Sequence, residues 1–250
     1  MTVNRPQPTP STTAEVGPVA EPVTSLEDER AITILTTEHW SLLSARSLAY
    51  NEAFVRGGMF LTFLSMTFVA LALFSSAMSF GADFLTVAAV LLAFDFVIGL
   101  TTYARIQGAN VDDMRAVHGM ARIRHGYTQI APIVTPYFTT ATHDDMAGIG
   151  LAYGNQETSF PGVFWYGLTT SGGMIGLILS MVGGVWTAVI ALLFGIDGTA
   201  ALLVGIGGGL VVFGALVWLT VGSVPREQRK ITSLFPTPPD ESPEGGSDQP

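Results

Sequence analysis

Four long apolar stretches constrain this chain more than any other feature of its sequence. Each is at least about 20 residues long, the length that a helix needs to cross the hydrocarbon core of a bilayer. They cover residues 58–80, 84–103, 172–195 and 198–221. The sequence therefore predicts an all-α integral membrane protein with four transmembrane helices and the lipid bilayer as its first partner.

The composition excludes several classes of function. Only 12% of the residues are charged, against about 25% in an ordinary soluble domain. The absence of cysteine excludes disulfides, thiolate metal ligands and thiol nucleophiles. A formal net charge of −9 argues against nucleic acid as a partner. We also expect no cleaved secretory signal, because residues 1–57 contain no apolar run of the length that such a signal needs.

The distribution of basic residues predicts the orientation. All 11 basic residues lie before the first span, between the second and third spans, or after the fourth. The two short turns, at 81–83 and 196–197, contain none. Lys and Arg near the ends of spans stay on the cytoplasmic side. Both termini and the middle segment are therefore predicted to be cytoplasmic.

The spans are predicted to form two antiparallel hairpins of different length. Residues 26–131 form a hairpin whose two helices extend far into the cytoplasm, because nothing breaks the second helix before Pro132. Residues 132–171 form a cytoplasmic connector with one short helix, and residues 172–221 form the second hairpin.

The two tails are expected to be disordered. Residues 1–25 are rich in proline and threonine, and residues 222–250 are rich in proline and acidic residues. Segments of this composition cannot bury enough apolar surface to offset the entropy of ordering.

The turn near residue 81 sets a register between the two long helices. If they pack antiparallel, residues whose numbers sum to about 162 lie at the same height. Small residues on one helix leave room for large residues on the other. The predicted facing pairs are Gly108–Phe54, Gly119–Leu43 and Gly126–Thr36.

The same register predicts ion pairs in the cytoplasmic extensions. Glu38 is expected opposite Arg124. Arg46 is expected near Asp112 or Asp113. Pairs of this kind, repeated along the hairpin, would favour one alignment of the helices over others.

Asp95 lies near the middle of the second span and is the strongest single candidate for a functional residue. Ionisable side chains at this depth are costly and usually face the bundle interior or water. One interpretation is a protonated carboxyl that bonds to a nearby hydroxyl, for which the register offers Thr67. Ser65 and Ser180 are further candidates. The other interpretation is a step in a proton or ion pathway.

Two series of small residues predict close helix packing. Their spacing of four residues places each series on one helical face, where backbones can approach. The expected use is contact between the third and fourth spans, and the alternative is self-association. The series are Gly172, Gly176, Ser180 and Gly184 in the third span and Gly205 and Gly209 in the fourth.

No catalytic, metal or cofactor site is predicted. His118 and His125 are seven residues apart, and the register places His39 near His125, so one interpretation is a metal or proton-sensing site. The other interpretation is ordinary surface or capping histidines. The surface interpretation explains the spacing more simply. The sequence also contains no assembled nucleophile and base.

Several short segments resemble those of a family of bacterial multi-spanning membrane proteins with uncharacterised activity. The resemblance covers roughly residues 30 to 225, and it implies a bacterial inner-membrane location but no catalytic residues. The long cytoplasmic extensions are also similar in layout to two-span effector domains of nucleotide signalling. The segments are 36–40, 51–54, 122–127 and 143–145.

These observations together favour a non-enzymatic membrane protein that self-associates and acts as a scaffold or binds a cytoplasmic protein. A homo-oligomer and an unidentified cytoplasmic protein are the expected partners. The alternative hypothesis is an oligomeric channel or ion pathway that uses Asp95.

Overall fold

The computed structural model describes residues 23–78, 80–153, 165, 167–228 and 232–238. Throughout these residues the regular secondary structure is helical. A short 3₁₀ helix, Pro132–Tyr137, follows the second long helix. The α-helices are α1 (Glu29–Met78), α2 (Ala82–Ile130), α3 (Met146–Ala152), α4 (Ser171–Leu193) and α5 (Gly198–Gln228).

Four of these helices, α1, α2, α4 and α5, are long and apolar enough to span a membrane. The predicted all-α class and the number of candidate spans are therefore confirmed. The first two apolar stretches are parts of much longer helices, because α1 contains 50 residues and α2 contains 49. At a rise of about 1.5 Å per residue, each of these helices extends well beyond the apolar part.

Helix α2 is the centre of the molecule. It packs against α1 and against α4, and α4 in turn packs against α5. Its buried residues recur alternately every three and four positions, which is the heptad spacing of helices that pack along their whole length. They include Leu92, Asp95, Gly99, Thr102, Ile106, Ala109, Asp113, Ala116, Met120 and Ile123.

This heptad pattern is hard to see in the sequence because half of its positions are polar or small. Gly99 shows why a small residue is needed there. A Cβ at this position would lie 2.8 Å from the side chains of Leu179 and Phe60. Both of those side chains are completely buried, so α1 and α4 meet at a point on α2 that has no side chain.

For two of the three glycines, the residue of α1 that faces the glycine is one position before the predicted residue. A Cβ at Gly119 would lie 2.9 Å from Leu42, and a Cβ at Gly126 would lie 3.4 Å from Leu35. Neither meets Leu43 or Thr36. One residue along a helix rotates the side chain by about 100°, which turns Leu43 away from α2 and leaves it 40% exposed.

The third predicted pair, Gly108–Phe54, is also wrong. A Cβ at Gly108 would meet only Arg105 of its own helix within 4 Å. Phe54 is 62% exposed. The side chain that faces α2 at this level belongs to the neighbouring Ala53, which is buried.

Polar side chains join α2 to the last two helices. The Tyr103 hydroxyl bonds to the Thr220 hydroxyl, and Gln107 donates to the same oxygen at 2.8 Å. Nearer the other end of the bundle, the Trp186 indole donates to the Ala89 carbonyl at 2.9 Å. These bonds fix α4 and α5 relative to α2 at two levels.

Candidate functional site

Asp113 forms the first of two buried carboxylate sites outside the apolar spans. Its side chain is 1% exposed. The Arg46 guanidinium binds it from α1 with Nε and Nη2, and the Tyr153 hydroxyl donates to it at 2.6 Å. The structure therefore brings together Arg46 and Asp113, one of the pairs that the register predicts. Tyr153, which the sequence did not single out, completes the site.

The other predicted pair is not formed. No ion pair joins Glu38 to Arg124 in the described part of the chain. Glu38 is exposed. Burial lowers the pKa of Arg124, and the neighbouring charge of Arg46 lowers it further. The one-residue shift of the register turns Glu38 toward solvent.

Asp144 is the second buried carboxylate, and its side chain is completely inaccessible. Arg122 of α2 donates to it at 2.6 Å. Its remaining donors come from far along the chain: the Ser233 hydroxyl at 2.7 Å and the Phe235 amide at 2.7 Å, together with the Leu234 amide at 3.0 Å. The Asp144 amide in turn donates to the Phe235 carbonyl at 3.2 Å.

Asp145 extends this site by one residue. Its carboxylate accepts from the Gly148 amide at 2.9 Å, which stabilises the start of α3. It also accepts from the Thr237 amide and the Thr237 hydroxyl, each at 2.8 Å.

Residues 232–238, here called the C-terminal segment, are therefore bound to the protein, which corrects part of the prediction of a disordered tail at 222–250. Helix α5 also continues to Gln228. The segment is held because carboxylates from the connector satisfy its amide and hydroxyl donors. Residues 229–231 and 239–250 of that tail, and residues 1–22 of the other predicted tail at 1–25, lie outside the described residues.

Histidines lie beside the C-terminal segment and near Asp144. The His125 ring stacks on Phe235 with centroids 4.0 Å apart, and His143 lies 6.1 Å from His125. His118 is buried, with Nε2 3.4 Å from Asp144 and with no hydrogen bond to either nitrogen. Within the described residues, no group of three or more His, Cys, Asp or Glu is placed to hold a metal ion.

Hydrogen bonding decides the charge of the site. Burial by itself would raise the pKa of Asp144, but the bonds from Leu234, Ser233 and Arg122 outweigh it and hold the pKa well below its usual range. Burial lowers the pKa of His118, and Arg122 lowers it further. The site therefore contains an ionised carboxylate beside a neutral imidazole near neutral pH.

Asp95 lies within the apolar part of α2 and is 2% exposed. Thr67 of α1, the residue that the register places at its height, is also buried. Its Oδ2 atom has no hydrogen-bond partner within the described residues. Ser180 does not reach it, because its hydroxyl donates to the Gly176 carbonyl at 2.7 Å.

The small residues of α4 serve two different neighbours. A Cβ at Gly184 would lie 2.8 Å from the Gly205 carbonyl and 3.3 Å from Gly209 Cα, so these three glycines let α4 and α5 approach closely. Gly172 and Gly176 instead face α2, where a Cβ would lie 2.8 Å from Gln107 and 3.0 Å from Tyr103 respectively. Gly176 also lies against α5, because its Cβ would be 3.8 Å from Leu216. The series therefore divides between α2 and α5.

A cavity of about 450 Å³ lies between α1, α2 and the start of α4. Its wall combines apolar side chains with the polar groups of Tyr50, Asn110 and Thr170. It lies where the apolar part of α1 begins, and neither buried carboxylate lines it.

This chain matches no protein-family model, no curated protein and no solved structure.

Proposed function

We propose that this protein is a non-enzymatic membrane scaffold that self-associates through its first helix. The observation that carries the proposal is the exposed apolar surface of α1 in the part that precedes its apolar span. Several large apolar side chains there are exposed by 40 to 69%, and we call four of them the outer face of α1. They are Ile34, Trp40, Leu43 and Leu48.

Helix α1 packs mainly against α2, along one side. The outer face lies away from that contact and is exposed. Burying one large apolar side chain stabilises a complex by roughly 1.5 to 3 kcal/mol. Contact between the outer faces of two copies would therefore supply a substantial driving force.

The membrane-spanning part of α1 supports the same proposal. In its most apolar window 11% of residues are buried, compared with 44% in α4. Helix α1 is thus at the edge of the bundle along its whole length. A second copy that packs on it would bury the helix both inside the membrane and outside it.

The proposal includes an arrangement in the membrane. The four spans form two antiparallel hairpins, and the extensions of α1 and α2 lie in the cytoplasm together with both termini. The positive residues at the ends of the spans support this orientation. The resemblance to bacterial multi-spanning proteins supports location in a bacterial inner membrane.

Measurement of molecular mass in lipid nanodiscs tests self-association. The wild-type chain, 26.5 kDa as a monomer, should give a larger protein mass that falls on dilution. Trp40→Glu and Leu48→Glu should each shift the equilibrium to monomer, because a charge would be buried without a partner. Gln129→Glu adds the same charge at an exposed position of α2 and should leave the mass unchanged.

A wild-type mass equal to that of the monomer over the whole concentration range would contradict the proposal. An oligomer that is insensitive to both α1 variants would place the interface elsewhere.

The second candidate function is an ion or proton pathway through Asp95. The Oδ2 atom, which has no hydrogen-bond partner among the described residues, favours this function. A buried polar atom without a partner destabilises the fold, so its presence is often explained by a functional role. Asp95 lines neither the cavity between α1, α2 and α4 nor the groove between α4 and α5. The scaffold is therefore the better supported function.

A further inference from the structure

We propose that the surface around Asp144 and Asp145 is a docking site for extended peptide segments of the pattern Ser-x-Phe-x-Thr, and that the chain's own C-terminal segment occupies it as a built-in competitor. This site is separate from the outer face of α1, so it does not depend on the proposed self-association.

The backbone of the segment is recognised as a peptide ligand is. Its amides at Leu234, Phe235 and Thr237 donate to the two carboxylates, and its carbonyl at Phe235 accepts from the Asp144 amide. Arg122 donates to the carbonyl of Thr232. Main-chain bonds of this kind give affinity for extended peptides, and pockets for alternate side chains give specificity.

Alternate side chains of the segment supply that specificity. The hydroxyls of Ser233 and Thr237 each donate to a carboxylate, at 2.7 and 2.8 Å respectively. The ring between them, Phe235, stacks on His125. Leu234 points outward and is 60% exposed. The contacts therefore select positions 233, 235 and 237 and leave 234 free to vary.

The residues that bind the C-terminal segment are held in place by contacts within α2 and α3. Arg122 is part of the long helix α2, and Asp145 is fixed by the Gly148 amide of α3. The buried face of α3 packs through Ile149 against Val117 and Met120 of α2. These contacts do not involve the C-terminal segment, so the frame of the site persists when the segment leaves.

An empty site would favour rebinding of the same kind of ligand. Without the segment, Asp144 keeps Arg122 but loses the two amides and the hydroxyl that satisfy its carboxylate. A charged group that loses its hydrogen bonds in a sheltered position is strongly destabilised. The segment is tethered to the end of α5, so its local concentration is of the order of millimolar. A free peptide must compete with that concentration.

The test uses full-length protein in lipid nanodiscs and a fluorescent synthetic peptide, Thr-Ser-Leu-Phe-Pro-Thr-Pro. A vacated variant combines Leu234→Pro, which removes an amide donor, with Phe235→Ala, which removes the stacked ring. The peptide should bind this variant at least about tenfold more tightly than the wild-type chain. Leu234→Ala keeps the amide and should behave as the wild type does.

Adding Asp144→Asn to the vacated variant should weaken peptide binding at least about tenfold, because the Asn side chain has lost the charge that the donors face. Adding Asp112→Asn instead, at an exposed position of α2, should have no effect. A peptide with alanine at the positions that correspond to Ser233, Phe235 and Thr237 should bind poorly to every variant.

A second measurement needs no substitution. Excess peptide should accelerate amide hydrogen exchange in residues 232–238 of the wild-type chain, because it displaces them. The proposal is overturned if the peptide fails to bind the vacated variant, if Asp144→Asn has no effect on binding, or if excess peptide leaves exchange unchanged. If the peptide concentration needed to displace the segment rises in step with protein concentration, the segment comes from a second copy. That result would overturn occupancy within one chain.

Discussion

Three buried aspartates show how single residues define this protein. Asp113 and Asp144, which lie outside the apolar spans, have all of their negative charge matched by guanidinium, hydroxyl or amide donors. Asp95, inside an apolar span, has one oxygen without a partner. Buried carboxylates persist when they are paired or hydrogen-bonded. The first two therefore stabilise particular contacts, whereas the third has a buried oxygen that accepts no hydrogen bond from the described residues.

Replacement of Asp113 should be strongly destabilising. Asp113→Asn leaves the Arg46 guanidinium, which is 32% exposed, without its countercharge, and breaking a buried pair costs about 3 to 5 kcal/mol. We expect a loss of about 2 to 4 kcal/mol, since Arg46 is partly solvated. Thermal unfolding in detergent measures this loss of stability. The matched control is Asp112→Asn, whose surface pair with Arg115 contributes less than about 1 kcal/mol. Equal effects of the two substitutions would show that the Arg46 pair has no special weight.

Replacement of Asp95 separates its two possible roles. If the carboxyl only bonds to Thr67, Asp95→Asn should change the free energy of unfolding by less than about 1 kcal/mol and leave the oligomer size intact. Reconstituted wild-type vesicles should then show no protein-dependent ion flux. Wild-type flux that Asp95→Asn abolishes and Asp95→Glu partly retains would contradict this outcome and favour the pathway.

At the scale of helices, contacts depend on the rotation of each helix about its axis more than on height. The register with residue numbers that sum to about 162 gives nearly the right height for α1 against α2. It predicts a contact at Leu43, whereas Leu42 makes the contact. In the same way, the regularly spaced small residues of α4 divide between two partners. Periodicity identifies a face of a helix, whereas the neighbours of that helix determine what packs on it.

Cysteine cross-linking tests the register of α1 against α2. The chain has no cysteine, so a disulfide within the chain can form only between the two introduced cysteines. Leu42→Cys with Gly119→Cys should form a disulfide readily, because the two positions are in side-chain contact and the bond requires Cα atoms within about 7 Å. Leu43→Cys with Gly119→Cys should react much more slowly. The reverse order would restore the register expected from the sequence.

Enlarging a glycine tests the close approach of α4 and α5. A Cβ at Gly205 would lie 2.8 Å from the Ala188 Cβ and 2.9 Å from the Gly184 carbonyl. Gly205→Val should therefore force the helices apart at a cost of about 1 to 3 kcal/mol. Gly207→Val provides the control, since nothing lies within 4 Å of its Cβ. Thermal unfolding of the two variants should differ clearly, and identical curves would mean that the two helices do not depend on this contact.

At the scale of the whole molecule, the last two helices are tied to the first two at both ends of α2. In and next to the apolar region the ties are Tyr103, Gln107 and Trp186. Farther along α2, the C-terminal segment binds Arg122 of α2 and the connector.

Reporter fusions test the orientation of the whole protein. A reporter that is active only in the cytoplasm should work when it is fused after Pro250, because the positive residues keep that end inside. The same reporter inserted at Ala82 or at Asp197 should be inactive, since both positions lie in short turns without basic residues. Activity at either turn would reverse the proposed topology.

The sequence by itself determined the helical class and the four candidate spans, because hydropathy over about 20 residues is a local property. It also indicated that Arg46 and Asp113 would meet, since one short turn fixes the height of both helices. Tertiary structure alone decided which side chains face α2, because a one-residue shift rotates the contact by about 100°. It alone bound the C-terminal segment, whose donors bond to carboxylates about 90 residues away in the chain. A tail of this composition has no apolar core to order it, and its backbone is satisfied instead by the carboxylates of the connector, the Asp144 amide and Arg122 of α2.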